Sequence, residues 1–253
     1  MKVDAVVLAG GDANQVVPTL SGPKSLIDIA GRPMISYVTD ALRHCRDLDN
    51  IVIALPVGTD PAAFAGFGTK IVTDTHGVVD AIDKTLKVLD NNGYVMMVSS
   101  DTPMISTAAV NDFLARCEAQ EADVYYTVVP KETTEKMFPG TRRTYIRLRD
   151  GAFTGGNVHL VDKDAFNRTK AMGERIFAKR KSPFGLIRLL GLGFVARFLL
   201  GRLTIASLEE GAGRALGAKV KAVVTRYPEL GVDVDKPEDL KIAEAYLTRQ
   251  KQH

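Results

Sequence analysis

The sequence is poor in everything that would place it outside the cell or in a membrane. Only two of its 253 residues are cysteines. Cys45 and Cys117 lie in stretches of helical spacing with no metal-ligand pattern around them, so we expect reduced core thiols and a cytoplasmic protein. Four histidines, His44, His76, His159 and His253, are too scattered to form a ligand cluster. No uninterrupted apolar run reaches the ~18 residues of a membrane-crossing helix. The first apolar strand begins at residue 3, so no secretory leader is expected. Charge of one sign is also scarce: 33 basic against 30 acidic residues leave +3, no basis for binding nucleic acid. There is no internal repeat and no low-complexity segment. The Walker phosphate loop and the dinucleotide fingerprint are both missing.

What is present is enough for a core. Hydrophobic residues make up 45% of the chain, ordinary for a globular protein. Apolar runs predict strands at 3–8, 51–55, 70–73, 94–98, 123–129, 143–149, 158–161 and 219–225. Helical spacing alternates with them at 34–46, 80–89, 106–120, from about 164, and 237–248. Pro33 suits the first position of the first helix and Asp235 suits a cap on the last. This alternation predicts an α/β fold with a doubly wound, mostly parallel sheet. We expect one domain over 1–253, carrying a helical insert at 163–213. Such sheets bind ligands at the carboxyl ends of their strands, where Gly10-Gly11 and Asp101 both fall.

The chain is organised around its opening stretch. A valine-rich strand ends in Leu8-Ala9-Gly10-Gly11, followed by Gly22-Pro23-Lys24-Ser25-Leu26 and Gly31-Arg32-Pro33-Met34. Adjacent glycines let the backbone approach a ligand and present N–H groups to it, and Lys24 adds a cation, which together make a phosphate cradle. The three-part pattern resembles the start of the nucleotidyltransferases of the glycosyltransferase-A-like fold. These include sugar-1-phosphate nucleotidyltransferases, molybdenum-cofactor guanylyl- and cytidylyltransferases, and methylerythritol-phosphate cytidylyltransferases. The resemblance implies nucleotide binding by Leu8, Ala9, Gly10, Gly11, Lys24, Gly77 and Ser100, with Lys24 and Asp101 catalytic. It departs at one place. The family usually carries an arginine four residues after the second glycine, and here that position is Gln15. A neutral amide cannot neutralise phosphate as a guanidinium fork does.

Ser100-Asp101-Thr102-Pro103-Met104 resembles the family's Gly-Asp-x-Pro-Leu element, which implies an Mg²⁺ ligand in Asp101; a helix cap or Asx-turn is the other reading. Asp233-Val234-Asp235-Lys236-Pro237-Glu238-Asp239-Leu240 resembles the second acidic element. Asp235 and Asp233 both remain metal candidates, since residues two apart share a face of a strand. Glu238 and Asp239 fall in the first helical turn and suit the helix dipole. Thr154-Gly155-Gly156-Asn157 is similar to the family's acceptor turn, or is a plain hairpin turn. Arg143 stands in a basic stretch with Arg142, Arg147 and Arg149, fit to receive a phosphorylated acceptor or simply to be solvated. Gly156, Asn157 and Arg143 are thus the acceptor candidates.

Residues 183–203 are strongly apolar, contain no acid and carry Arg188, Arg197 and Arg202. Glycines at 185, 191, 193 and 201 favour two short helices over one. They would cover the core or form a homodimer, or else dock a lipid-precursor acceptor and touch an anionic membrane surface. The expected activity is Mg²⁺-dependent transfer of a nucleotidyl group from a nucleoside triphosphate to a phosphorylated acceptor. A non-catalytic nucleotide or nucleotide-sugar sensor, motivated by Gln15, and a glycosyltransferase are the alternatives.

Overall fold

Val3–Leu8 forms β1, in which Val3, Ala5, Val6 and Val7 are all fully buried. Burial on both faces is the state of an inner strand in a parallel sheet. The computed structural model describes residues 1–89, 93–179, 185 and 192–250. After β1 come a small antiparallel ribbon, β2 (Asp28–Ile29) with β3 (Arg32–Pro33), and helix α1 (Met34–Arg43). Strands β4 (Leu48–Pro56) and β5 (Lys70–Thr75), helix α2 (Val78–Val88), strand β6 (Tyr94–Ser99) and helix α3 (Thr107–Glu118) follow. Then come β7 (Val124–Pro130), α4 (Lys131–Met137), β8 (Ile146–Leu148), β9 (Gly151–Asp162) and α5 (Lys163–Lys179). The chain closes with α6 (Leu192–Leu199), α7 (Ile205–Leu216), β10 (Val220–Val224) and α8 (Pro237–Gln250).

The sheet runs β10-β7-β9-β6-β1-β4-β5, with β8 attached to β9. Parallel pairs join β1 to β4 and β6, β4 to β5, and β7 to β10, while β9 lies antiparallel between β6 and β7. The doubly wound, mostly parallel expectation therefore holds. From β1 the chain steps outward to β4 and β5, then returns to place β6 on the other side of β1. That reversal opens a crevice at the carboxyl ends of β1 and β6, where open α/β sheets take ligands.

Alternation along β1 sends Ala5 and Val7 to one face with Ile35, Leu42 and Phe113, and Val6 to the other with Ile82, Leu86 and Phe166. Thus α1 and α3 cover one side, α2 and α5 the other. A third cluster lies beneath the loops. Val16, Ile29, Met34, Met104 and Phe138 pack with Val232, Val234 and Leu247. This cluster fastens the tail of the chain to its head, each buried side chain of this size contributing about 1.5–3 kcal/mol.

Three local expectations are corrected. Residues 154–157 make no turn: β9 runs straight through them. At Gly156 a Cβ would stand 2.6 Å from Thr127 Cβ and 3.0 Å from the Leu230 carbonyl oxygen, so close packing accounts for this glycine. The strand expected at 143–149 is confined to Ile146–Leu148. Pro33 is not the first helical residue but precedes it, with φ −55° and ψ 136°. Helix α4 was not foreseen. Of the 183–203 segment, 183, 184 and 186–191 fall outside the described residues. Among the described residues no helix is long and apolar enough to cross a membrane.

Candidate active site

The chain leaves β1 through Gly10 and Gly11 and folds back on itself. Ala13 N–H donates to the Gly22 carbonyl at 2.8 Å, and Lys24 N–H to the Gly11 carbonyl at 2.9 Å. Gly11 sits at φ +91°, and a Cβ there would lie 3.4 Å from Lys24 Cε. A residue with a side chain would be strained and would press on the lysine stem, so glycine is required. The fold-back buries Lys24, only 4% exposed, in a short 3₁₀ turn, Lys24–Leu26.

The Lys24 ammonium meets two carboxylates. One is Asp101, at the end of β6. The other is Asp235, from the tail, with Nζ to Oδ1 at 2.8 Å. The Ser99 hydroxyl donates to Asp101 Oδ1 at 2.5 Å and fixes that side chain. The Val234 N–H donates to the Asp101 carbonyl at 2.8 Å, so the acidic tail loop is pinned to the β6 turn through main chain. Burial works against charge on Lys24, but Asp101 and Asp235 outweigh it and its pKa is raised.

Asp233 completes the cluster: one ligand oxygen each from Asp101, Asp233 and Asp235 lie within 4.8 Å of one another. Burial pushes the Asp233 carboxyl up to about 7, the Arg143 guanidinium opposes this, and the charges of Asp101 and Asp235 add to it. Burial acts the same way on Asp235, but the Lys24 ammonium prevails and its pKa is lowered. Three convergent carboxylates form an all-oxygen donor set, which suits a hard divalent cation such as Mg²⁺. The donor chemistry thus fits the cofactor that the motifs implied.

Arg143, expected at the acceptor, engages this loop instead. Its guanidinium donates to the Asp233 carboxylate and carbonyl, and reaches Asp239 Oδ1 at 3.3 Å. The other Asp239 oxygen accepts the Asp235 and Lys236 amides at 3.2 and 3.1 Å. Asp239 therefore caps α8 by reaching back from its third residue, the task expected of Asp235. The sequence reading gave Asp239 only a helix-dipole role, and its place three residues into the helix was the signal for this capping role.

Other expected residues divide. Ala9 and Gly11 line a cavity of about 430 Å³ at the mouth of the crevice, with Asp12, Gly22, Pro56 and Asp60. Gly77 does not line that cavity; it precedes α2 at φ 112°. Leu8 accepts the Ser100 N–H through its carbonyl at 3.2 Å, tying β1 to the β6 turn. Asn157 has a buried side-chain nitrogen without a hydrogen-bond partner, as do the Ser100 and Thr102 hydroxyls. In the antiparallel register Asn157 comes one residue before Val158, the partner of Val98, and so lies beside the end of β6.

Comparison with known proteins agrees with this fold. The chain is similar to the 8-amino-3,8-dideoxy-manno-octulosonate cytidylyltransferase of Shewanella halifaxensis, 24% identical over 239 residues, which are 88% of this chain and 91% of that protein. A hypothetical transferase from Thermus thermophilus superposes with a TM-score of 0.83 at 38% identity, covering 95% of this chain and 100% of that one. The 2-C-methyl-D-erythritol 4-phosphate cytidylyltransferase of Thermus thermophilus shares the fold, with a TM-score of 0.57 at 18% identity over 98% of this chain and 100% of that one. Residues 5–184 match the MobA-like NTP transferase domain. With that match, a doubly wound sheet, and a lysine facing carboxylates at its crevice, the chain belongs to the MobA-like NTP transferases, a family of nucleotidyltransferases.

Proposed function

We propose that this nucleotidyltransferase joins the nucleoside monophosphate part of a triphosphate to a phosphorylated acceptor in an Mg²⁺-dependent reaction. The observation that carries the reading is the meeting of Lys24 with Asp101 and Asp235, brought from three distant parts of the chain to one crevice. An acceptor phosphate oxygen attacks the α-phosphorus and forms the new P–O bond. The bond from the α-phosphorus to the bridging oxygen breaks, and pyrophosphate leaves with the electron pair. No proton has to move, because the acceptor phosphate is already ionised at neutral pH. That fits a site built without histidine.

The parts have distinct tasks. The backbone at Gly10 and Gly11 lies against the phosphates, and Lys24 offsets charge developing on them. Asp101, Asp233 and Asp235 would hold Mg²⁺, which when bound neutralises the polyphosphate. Arg143 holds the acidic loop in place and does not itself meet the acceptor. The cavity beside Ala9 takes the base. Asp12 and Asp60 at its wall favour a base with an exocyclic amino group over uracil. Asn157, with its unpartnered side-chain nitrogen beside the end of β6, is the residue left to meet the acceptor. We place the enzyme in the cytoplasm.

The test is pyrophosphate release from each of the four triphosphates against pooled phosphorylated sugars, alcohols and pterins. Release with CTP or GTP, lost by orders of magnitude in Lys24→Ala and Asp101→Ala, is expected. Nucleotide binding without release would leave a sensor, and use of a ready-made nucleotide sugar would leave a glycosyltransferase.

A further inference from the structure

Helix α6 has one settled face. Phe194 packs with Leu203, Leu148 and Leu208, and only a glycine at 211 leaves room for it, since a Cβ there would lie 2.5 Å from Phe194 Cζ. The other side is unlike anything else on the described surface. Leu199 and Leu200 are 72% and 65% exposed, the most exposed large apolar side chains among the described residues.

Their exposure does not come from a frayed end. Arg202 N–H donates to the Arg197 carbonyl at 2.8 Å, and Gly201 N–H to the Phe198 carbonyl at 3.0 Å. With Gly201 at φ +63°, this is a Schellman stop. The motif usually closes with an apolar contact between the residues at the ends of the longer bond. Here both are arginines, so the capped turn holds two leucines outward between two cations.

More positive charge stands beside the tip. Arg149 N–H donates to the Leu203 carbonyl at 2.8 Å, which places β8 next to the end of α6. Leu148 turns into the Phe194 cluster, and Arg147 and Arg149 on either side of it are exposed. None of Arg147, Arg149, Arg197 and Arg202 forms an ion pair with a described residue. Asp150, next in the chain, has its carboxylate engaged by the Ile205 N–H at 2.7 Å.

We propose that the Leu199-Leu200 tip and its four arginines dock this protein on the surface of an anionic lipid bilayer. Two leucines are far too little apolar area for a stable protein interface, which needs on the order of 1,200 Å². A fluid surface demands less: shallow insertion of a few apolar side chains, plus cations among anionic headgroups. Arg147 lies four residues along the chain from Arg143, which holds the acidic loop of the site. The inference goes beyond the nucleotidyl-transfer reading and does not need it.

The experiment is co-sedimentation of the full chain, without nucleotide, with vesicles of phosphatidylcholine alone and of phosphatidylcholine mixed with phosphatidylglycerol. Wild type should pellet with the anionic vesicles, stay in solution with the neutral ones, and be released by high salt. Leu199→Asp/Leu200→Asp and, separately, Arg197→Ser/Arg202→Ser should each weaken binding about tenfold, with unchanged thermal unfolding. Three results would overturn the proposal. They are no wild-type binding to anionic vesicles, equal binding by both variants, and a lipid-free dimer in sedimentation velocity that the leucine variant splits.

Discussion

Lys24 and Asp235 are 211 residues apart in the chain, and Nζ and Oδ1 are 2.8 Å apart in space. The ammonium lies among the same carboxylates that suit a divalent ion. On the proposed mechanism a bound metal and the lysine would compete for those oxygens, and a polyphosphate would draw the lysine away. Replacing Lys24 with Met should lower turnover by about 10²–10³-fold, the scale for loss of one preorganised charge. The same variant should bind Mn²⁺ about tenfold more tightly without nucleotide, because a like charge is removed. Mn²⁺ titration followed by electron paramagnetic resonance reads this directly; equal or weaker binding by the variant contradicts it.

Arg143 is the structural counterpart of that pair. Its side chain is 9% exposed, and the Asp233 and Asp239 side chains it faces are 23% and 7% exposed. Truncation to Ala leaves two largely buried carboxylates without their cation, which should cost about 3 kcal/mol of stability. Lysine should rescue little, because one ammonium cannot replace a fork with three contacts. Urea unfolding gives the number, and a loss below about 1 kcal/mol would show that the loop stands without Arg143.

Acid should weaken the fold through His159. Burial pushes its imidazole from 6.5 down to about 4, and its Nδ1 is buried without a hydrogen-bond partner. Between those values the unfolded chain takes up a proton that the folded chain refuses. Stability is therefore fully present above about 6.5 and declines as the pH falls towards 4. His159→Leu should flatten that part of the stability profile. An unchanged slope between the two values would mean that the imidazole protonates in the fold.

Gln15 stands exposed in the turn Ala13–Gln15, at the position where the family resemblance leads us to expect an arginine. A charge-assisted bond to phosphate is worth about 1.5–3 kcal/mol. Gln15→Arg should thus raise kcat/KM for the triphosphate about tenfold or more, leaving the KM for acceptor unchanged. A fall in kcat/KM would mean that the amide serves this chain's own substrate.

Much of this architecture could be read from the sequence, for definable reasons. β1 and β6 are apolar runs that stop at Gly10-Gly11 and at Ser99, and a buried parallel strand leaves that trace. β9 was misread because Gly155-Gly156 signals a turn locally, whereas Gly156 answers to Thr127 and Leu230, which are distant in sequence. Helix α4 left no trace because Lys131–Met137 has no apolar repeat and its residues hold only a single face to the sheet. At the site, Lys24 and the three aspartates were visible as motif letters. The engagement of Arg143 by Asp233 was not, since a basic stretch reads alike whether it meets solvent, acceptor or carboxylate.

The bond from Val234 N–H to the Asp101 carbonyl has a consequence for the timing of synthesis. On the ribosome, the phosphate loop and Asp101 emerge early, yet Asp233 and Asp235 are added only after most of the sheet. A nascent chain therefore carries a cradle with no complete cation-binding partner. On the proposed mechanism, turnover would wait until the helix after Asp235 is made and locked into place, and a partly made protein would not consume nucleotide.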